Sequence, residues 1–336
     1  MDVLSEVLKV VKLQGAMFYN GEFSAPWSLR SPHSRAIAPY VATGAGHVIV
    51  YHLLTEGRAS VRLEDGERVS LGAGEIVVFP HGNPHIIENG PTTRTMDLSQ
   101  ELERIFCHGL ALWRLGGGGE LTRFVCGYMA CEPRLSQVFL SGLPPLFKVS
   151  IRDDASGRWL EDSIRFSVNQ ADTPRPGGEA VFAKLSEVLF VETLRGYIAT
   201  LPPEQTGWLA GARDAEVGKT LALIHRTPAH PWTLAALAKE VGVSRSVLAE
   251  RFRYYLNEPP MAYLTRWRLQ LGGQLLSSTS YTVAQIAAEV GYESEAAFNR
   301  AFKREFTIPP ARFRSQSRSG SGEAVMARKS STARKD

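Results

Sequence analysis

The chain has 336 residues, 44% hydrophobic and 21% charged, the composition of an ordinary globular protein and length enough for two domains. Its net charge of +4 hides a split: residues 1–210 hold 19 Lys+Arg and 23 Asp+Glu (net −4), and residues 211–336 hold 19 and 11 (net +8). No apolar run of about 18 residues could span a bilayer, the early acids of the N-terminus do not suit a secretory signal, and Cys107, Cys126 and Cys131 are too few for a disulfide framework. The expectation is a cytoplasmic protein with no membrane partner, whose basic half meets a polyanion.

Residues 1–13 carry Val3, Leu4, Val7, Leu8 and Val11 at helical spacing and predict a short amphipathic helix. From Phe18 to Val125 the pattern is strand-like, with short apolar or alternating runs such as Val48–Val50, Ala59–Leu63 and Glu75–Phe79 between Gly, Asp and Pro. The four glycines 116–119 lack the Lys-Ser/Thr ending of a phosphate loop and read as a linker. A helix is expected over Ala180–Leu201 with Leu185, Val188, Leu189 and Leu194 on one side. The segment 201–207 (LPPEQTG) is the best boundary. Beyond Val217 the chain is helical to Phe313. From Ser315 on, six Ser and five Lys/Arg with few large apolar side chains predict a disordered basic tail.

Within the basic half lies a repeat. TLAALAKEVGVSRSVLAERFRYYLNEPPMAY is followed by TVAQIAAEVGYESEAAFNRAFKREFTIPPARF. Thr233 and Thr282 can cap a first helix, and Gly242 and Gly291 can end it. Ser244 and Ser294 can cap a second helix whose inner face is Leu248, Phe252 and Leu256, or Phe298, Phe302 and Phe306. The proline pairs 259–260 and 309–310 are expected to stop it. Each copy is thus a helix-turn-helix. Its outward face is Arg245, Ser246, Ala249, Glu250 and Arg253 in the first copy, and Glu295, Ala296, Asn299, Arg300 and Lys303 in the second. Arg can pair with guanine, Asn with adenine, and Glu can accept from cytosine. Arg253, Lys303 and Arg304 lie further along, where phosphates are met. A linking helix over Met261–Leu276, with Leu264, Trp267, Leu271 and Leu275 inward, spans roughly 24 Å. Its Gly272-Gly273 pair lowers helix propensity by about 1 kcal/mol per residue. The charge excess is assigned to the second helices, to Arg266 and Arg268, and to the tail.

Residues 215–314, through TLAALAKEVGVSRSVLAERFR, YLTRWRLQ and AEVGYESEAAFNRAFKREFTIPPARFR, resemble the AraC/XylS family of transcription regulators. The resemblance implies double-stranded promoter DNA as partner, contact with RNA polymerase, and base reading by Arg245, Ser246, Ala249, Glu250, Glu295, Ala296, Asn299 and Arg300.

In the acidic half, Gly74, Pro80, Gly82, His85 and Asn89 fall at the spacing of the second cupin motif. The first motif is poorly met: His52 sits six residues after Gly46, but Leu54 holds the second His place, and the Glu place falls on Arg58 or Ala59. Two ligands rarely hold a catalytic metal, so no metal and no cofactor are expected. FYNGEFSAPWSLRSP, VVFPHGNPHII, TRFVCGYMACEP and GEAVFAKLSEVLFVETLRGYI resemble the cupin-bearing branch of AraC-type regulators. That resemblance implies an α+β multidomain chain: a cupin-like β-barrel with a helical segment, then an all-α paired helix-turn-helix domain. The expected bounds are a sensor and dimerisation domain at 1–205, a linker at 206–216, a DNA-binding domain at 217–314 and the tail at 315–336. An unidentified small-molecule effector, a homodimer and no enzymatic activity follow by the same analogy. Trp27, His52, Phe79 and His85 are candidates either to line the effector pocket or to form ordinary barrel core. Two alternatives stand beside this: a cupin metalloenzyme of dioxygenase or isomerase type carrying a DNA-binding domain, and a thiol redox sensor using Cys126 and Cys131.

Overall fold

The computed structural model describes residues 2–316 apart from 12, 42–46, 65, 92–93, 109, 111, 132–139, 141, 154 and 171–175. The expected tail from Ser315 falls, beyond residue 316, outside the described residues, as does the side chain of Cys107. The chain divides into two compact units. One is Lys12–Leu201; the other is Pro202–Asp336 together with Met1–Val11. The division thus falls at Leu201, where Leu-Pro-Pro breaks the preceding helix. Residues 1–11, expected with the barrel, belong to the other unit.

The first unit is two sheets face to face. One has the order β11-β6-β3-β10-β1-β9, built from β1 (Gln14–Ser24), β3 (His47–Glu56), β6 (Glu75–Phe79), β9 (Leu112–Gly116), β10 (Leu121–Cys131) and β11 (Phe147–Ser150). The other has the order β5-β4-β7-β2-β8, from β2 (Trp27–Ser31), β4 (Arg58–Leu63), β5 (Val69–Gly72), β7 (His85–Asn89) and β8 (Met96–Asp97). Pairing is antiparallel except for β1 with β9 and β2 with β8. The alternating side chains of both inner faces make one core. Tyr19, Phe23, Leu54, Val77, Phe79 and Phe124 come from the first sheet, and Trp27, Leu29, Val61, Leu71 and Ile87 from the second.

Two helices that the apolar pattern did not announce, α2 (Ser34–Val41) and α3 (Leu102–His108), lie beside this core, their Ile37, Leu102 and Ile105 buried. Helices α4 (Ala155–Asn169) and α5 (Gly178–Thr200) come next, and α5 packs on β1. The buried face of α5 is Ser186, Leu189, Phe190, Thr193 and Leu194, while Val188, expected inward, is exposed. The reason is a polar anchor: the Tyr51 and Ser186 hydroxyls are hydrogen-bonded at 2.7 Å. Gly127 makes this possible, since a Cβ there would fall 2.0 Å from the Tyr51 hydroxyl.

The second unit is helical. Helix α1 (Val3–Val11) buries Val3, Leu4, Val7 and Val11 and packs against α7 (Ala215–Arg226). Asp214 caps α7 by accepting from the amides of Glu216 and Val217. The short α6 (Trp208–Arg213), α7 and the linking helix α10 (Pro260–Ser278) are pinned by one buried chain. Trp208 Nε1–H donates to the Tyr263 hydroxyl (2.8 Å), which donates in turn to His225 Nε2 (2.7 Å). The first helix-turn-helix is α8 (Leu234–Val241) and α9 (Arg245–Leu256); the second is α11 (Val283–Glu289) and α12 (Glu295–Phe306).

Candidate nucleic-acid interface and barrel cavity

The caps read from the repeat are in place. Thr233 accepts from the Ala236 amide, and Thr282 forms a reciprocal box with Gln285. Ser244 accepts from the Val247 amide and Ser294 from the Ala297 amide, each at 3.2 Å. Gly242 ends α8 in the left-handed region at φ 83°. The second helices end differently from expectation. Asn257 (φ 57°) and Thr307 (φ 65°) stop them in left-handed geometry. The prolines instead open the next helical segments, with Pro260 in the first turn of α10 and residues 310–316 helical after Pro309. Proline suits a first helical position because the amide it lacks has no helical partner there.

Leu248 and Phe252 of α9, and Phe298 and Phe302 of α12, are buried, which turns the opposite faces to solvent. Arg245, Ser246, Glu250 and Arg253 are exposed and Ala249 is half-buried. Glu295, Ala296, Arg300, Lys303 and Arg304 are exposed, while Asn299 is half-buried beside Glu295, with Nδ2 3.5 Å from its carboxylate. No ion pair with a described residue engages Arg245, Arg253, Arg300, Lys303 or Arg304. Several other arginines of this unit are occupied. Arg251 pairs with Asp214 and Glu216. Arg266, assigned from charge to the basic excess, pairs with Glu258 and covers the Tyr263 ring. Arg268, assigned likewise, is half-buried and donates to the carbonyls of Pro228 and His230. Counting charges could not separate these structural cations from unpaired ones.

The linking helix buries Leu264, Trp267, Leu269 and Leu276, with Leu271 and Leu275 only partly covered. It has 19 residues, about 28 Å at 1.5 Å per residue. The Gly272-Gly273 pair, which lowers helix propensity, has a packing cause. A Cβ at Gly272 would lie 2.9 Å from the Phe298 ring of the second recognition helix.

In the barrel, strand register brings together residues far apart in sequence. Tyr19 lies opposite Cys126, Cys126 opposite His52, and His52 opposite Val77, one row across the first sheet. A bulge at residue 18 sets this row: β10 advances one residue from Gly127 to Cys126 while β1 advances two, from Met17 to Tyr19. On the facing sheet, Ser31 pairs with His85. The rows meet in a buried polar chain. His85 Nδ1 is 2.9 Å from the Asn83 carbonyl, His52 Nε2 is 2.7 Å from His85 Nε2, and His52 Nδ1 is 2.6 Å from Cys126 Sγ. The carbonyl can only accept, so His85 carries its proton on Nδ1. His52 then donates from Nε2 and accepts the Cys126 thiol proton on Nδ1. Every member is neutral and paired. Burial reinforces this, lowering His85 to about 4, His52 well below its ordinary value, and raising the Cys126 thiol.

A narrow cavity opens beside this chain. Its walls include Leu29, Ile37, Ile87, Leu102 and Phe124, with Tyr19, Ser31, His52 and Cys126 as the polar lining. Of the four sequence candidates, His52 lines it. His85 stands behind His52, Phe79 stacks on His85 at 3.6 Å between ring centroids, and Trp27 packs against Phe23 and Phe124. Tyr19 was missed because its place depends on the bulge. The Tyr19 hydroxyl is buried with no partner among the described residues.

The chemistry of the donor set bears on the alternatives. The two histidine nitrogens available for a metal are turned onto each other, and among the described residues no three His, Cys, Asp or Glu side chains are grouped to hold a metal ion. Cys126 and Cys131 are both buried on β10. Five residues apart on one strand, they face opposite sides about 16 Å apart, beyond the reach of a disulfide.

A barrel with a lined cavity joined in one chain to two capped helix-turn-helix units defines a DNA-binding regulator class, and comparison with known proteins agrees. A cupin family model matches residues 2–199 and a helix-turn-helix domain model matches residues 237–316. The HTH-type transcriptional regulator AlkR of Acinetobacter baylyi is 29% identical, over 94% of this chain and 100% of its own. A putative AraC-like transcription regulator of Streptomyces lividans is 29% identical over 94% and 98%. The RCS-specific HTH-type transcriptional activator RclR of Escherichia coli is 28% identical over 95% and 99%. The chain belongs to the AraC-type transcription regulators that carry an N-terminal cupin domain. Among the described residues no helix is long and apolar enough to cross a membrane.

Proposed function

We propose that this protein is a cytoplasmic one-component regulator that reads promoter DNA with α9 and α12 and answers to a molecule held in the barrel. The observation that carries the reading is the pair of capped second helices whose outward cations have no ion pair among the described residues, while neighbouring arginines are tied to the protein. Arg245, Ser246, Ala249 and Glu250, with Glu295, Ala296, Asn299 and Arg300, are assigned to base edges. Arg253, Lys303 and Arg304 are assigned to phosphates. The effector is a small uncharged molecule, mostly apolar, with one atom to pair with the Tyr19 hydroxyl. Among the described residues no charged side chain lines the cavity, and a buried ion without a partner is too costly. Family analogy adds a homodimer and contact with RNA polymerase. The histidine pair, each nitrogen spent on a protein partner, supports a sensor rather than an enzyme.

Selection of duplexes from a random pool by the full-length protein tests this. A two-part motif with its halves about one DNA turn apart is expected. It should be lost in the double variant Arg245→Ala/Arg300→Ala. A pool that never enriches would reject the reading.

A further inference from the structure

A second cavity lies beside α2. Among the described residues it is lined by His33, Ser34, Arg35, Ala38, His47, Val48 and His81, none of them acidic. Three imidazoles and a guanidinium therefore share one concave surface. The place is set by tight packing. Gly82, at φ 67°, presses so closely on α2 that a Cβ would fall 1.8 Å from Ser34 Oγ, and the Ser34 amide donates to the Gly82 carbonyl at 2.9 Å. This fixes His81, on the turn after β6, against His33 and the first turn of α2.

Each ring has one nitrogen already spent. His47 Nε2–H donates to the Pro80 carbonyl (2.5 Å) and His81 Nε2–H to the Leu143 carbonyl (3.0 Å). His33 Nδ1 accepts from the Arg35 amide (3.1 Å). Carbonyls only accept and amides only donate, so the remaining nitrogens are defined: a bare Nδ1 on His47 and on His81, and an Nε2–H on His33. Two rings can take up a second proton without breaking the bond they have. Arg35 is exposed and joined to no described carboxylate. The amides at the start of α2 are used by Gly82 and His33, so the donors left are side chains.

We propose that this pocket binds a small tetrahedral oxyanion of the phosphate type, with Arg35 and His33 as standing donors and His47 and His81 becoming donors by protonation as the anion enters. Four donors from three separate elements suit a tetrahedral ion better than a planar carboxylate. Among the described residues the titratable groups facing the pocket are His33 and Arg35 at α2, His47 on β3 and His81 on the β6–β7 turn. Burial first, and then the neighbouring His81 and His33 rings, hold His47 below its ordinary value until an anion arrives. Binding should therefore take up protons.

The test is calorimetric titration of the full-length protein with sulfate, which stays a dianion across the range used, and with inorganic phosphate and acetate. Saturable sulfate binding is expected, about tenfold tighter at pH 6 than at pH 8, with proton uptake seen as a dependence on buffer ionisation heat. Acetate should bind at least about tenfold more weakly than sulfate. Arg35→Gln and His81→Gln should each weaken sulfate about tenfold, the loss typical of one charge-assisted contact. Arg35 is exposed, so its variant should fold even if the His81 variant does not. Absence of saturable binding overturns the proposal. So does binding unchanged in Arg35→Gln, which would place the ion on the basic helices of the other unit. Saturable zinc binding that His81→Gln abolishes, with no effect on sulfate, would mark a metal site and overturn it as well.

Discussion

Arg300 stands exposed on α12 with no ion pair to a described residue, so its contribution to DNA binding can be measured without unfolding the helix. Arg300→Ala should weaken binding to a selected site by about 1–3 kcal/mol and relax the preference at one base position. Equal loss on selected and random duplexes, in a fluorescence-anisotropy titration, would reassign it to a phosphate. His85 makes a different statement. Burial lowers it to about 4, whereas in the unfolded chain it titrates near 6.5. Between those values the unfolded chain takes a proton that the folded chain refuses. This part of the stability is therefore complete above about pH 6.5 and is lost as pH falls toward 4, on the order of 3 kcal/mol in all. Urea midpoints of the barrel unit should drop over that window, and His85→Gln should make the drop shallower. An unchanged slope in the variant would contradict the assignment. His85 was legible from the Gly-Pro-Gly-His-Asn spacing. Tyr19 was not, because a one-residue bulge on a distant strand decides which way it points.

At the scale of elements, the paired helix-turn-helix was readable because its signals are local. Caps, left-handed turn residues and a 3.6-residue apolar face lie within a dozen positions of one another. Ser294→Ala should cost about 1 kcal/mol through loss of the bond to the Ala297 amide, seen as a lower thermal midpoint of the helical unit. Gly272 reverses the usual rule. In an exposed helix, Gly→Ala gains about 1 kcal/mol. Here the new methyl meets the Phe298 ring at 2.9 Å, so Gly272→Ala should destabilise by about 1–3 kcal/mol. A variant as stable as the parent, or more so, would show that α10 and α12 can separate freely. Helices α2 and α3 escaped the sequence reading because each has under nine residues and rests on the barrel rather than on its own pattern.

For the molecule as a whole, the unexpected element is α1. Its amphipathic pattern was plain, but a pattern says that a face is buried and not against what. In the structure Val7 is fully buried with α1 packed on α7, so the DNA-binding unit is assembled from both ends of the chain. Val7→Asp should therefore destabilise the helical unit by on the order of 3 kcal/mol, since it places a charge in an apolar contact. Hydrogen exchange should show α7 amides losing protection while the β10 amides keep theirs. Loss confined to the barrel would refute the placement of α1.

The amino-acid sequence by itself determined the class of the protein, the repeat with its caps and inner faces, and the cupin spacing around His85. It also placed the change of charge near the point where the units divide. All of these are encoded within short stretches, through backbone preferences and apolar periodicity. The tertiary structure alone decided the row Tyr19–Cys126–His52, the shared ends of the helical unit, the cavity walls and which arginines are spent internally. The barrel row, for one, depends on pairings far apart in the chain, His52 with His85 across 33 residues and Tyr19 with Cys126 across 107. Such pairings are settled by how two whole sheets bury each other, and no local pattern carries that information.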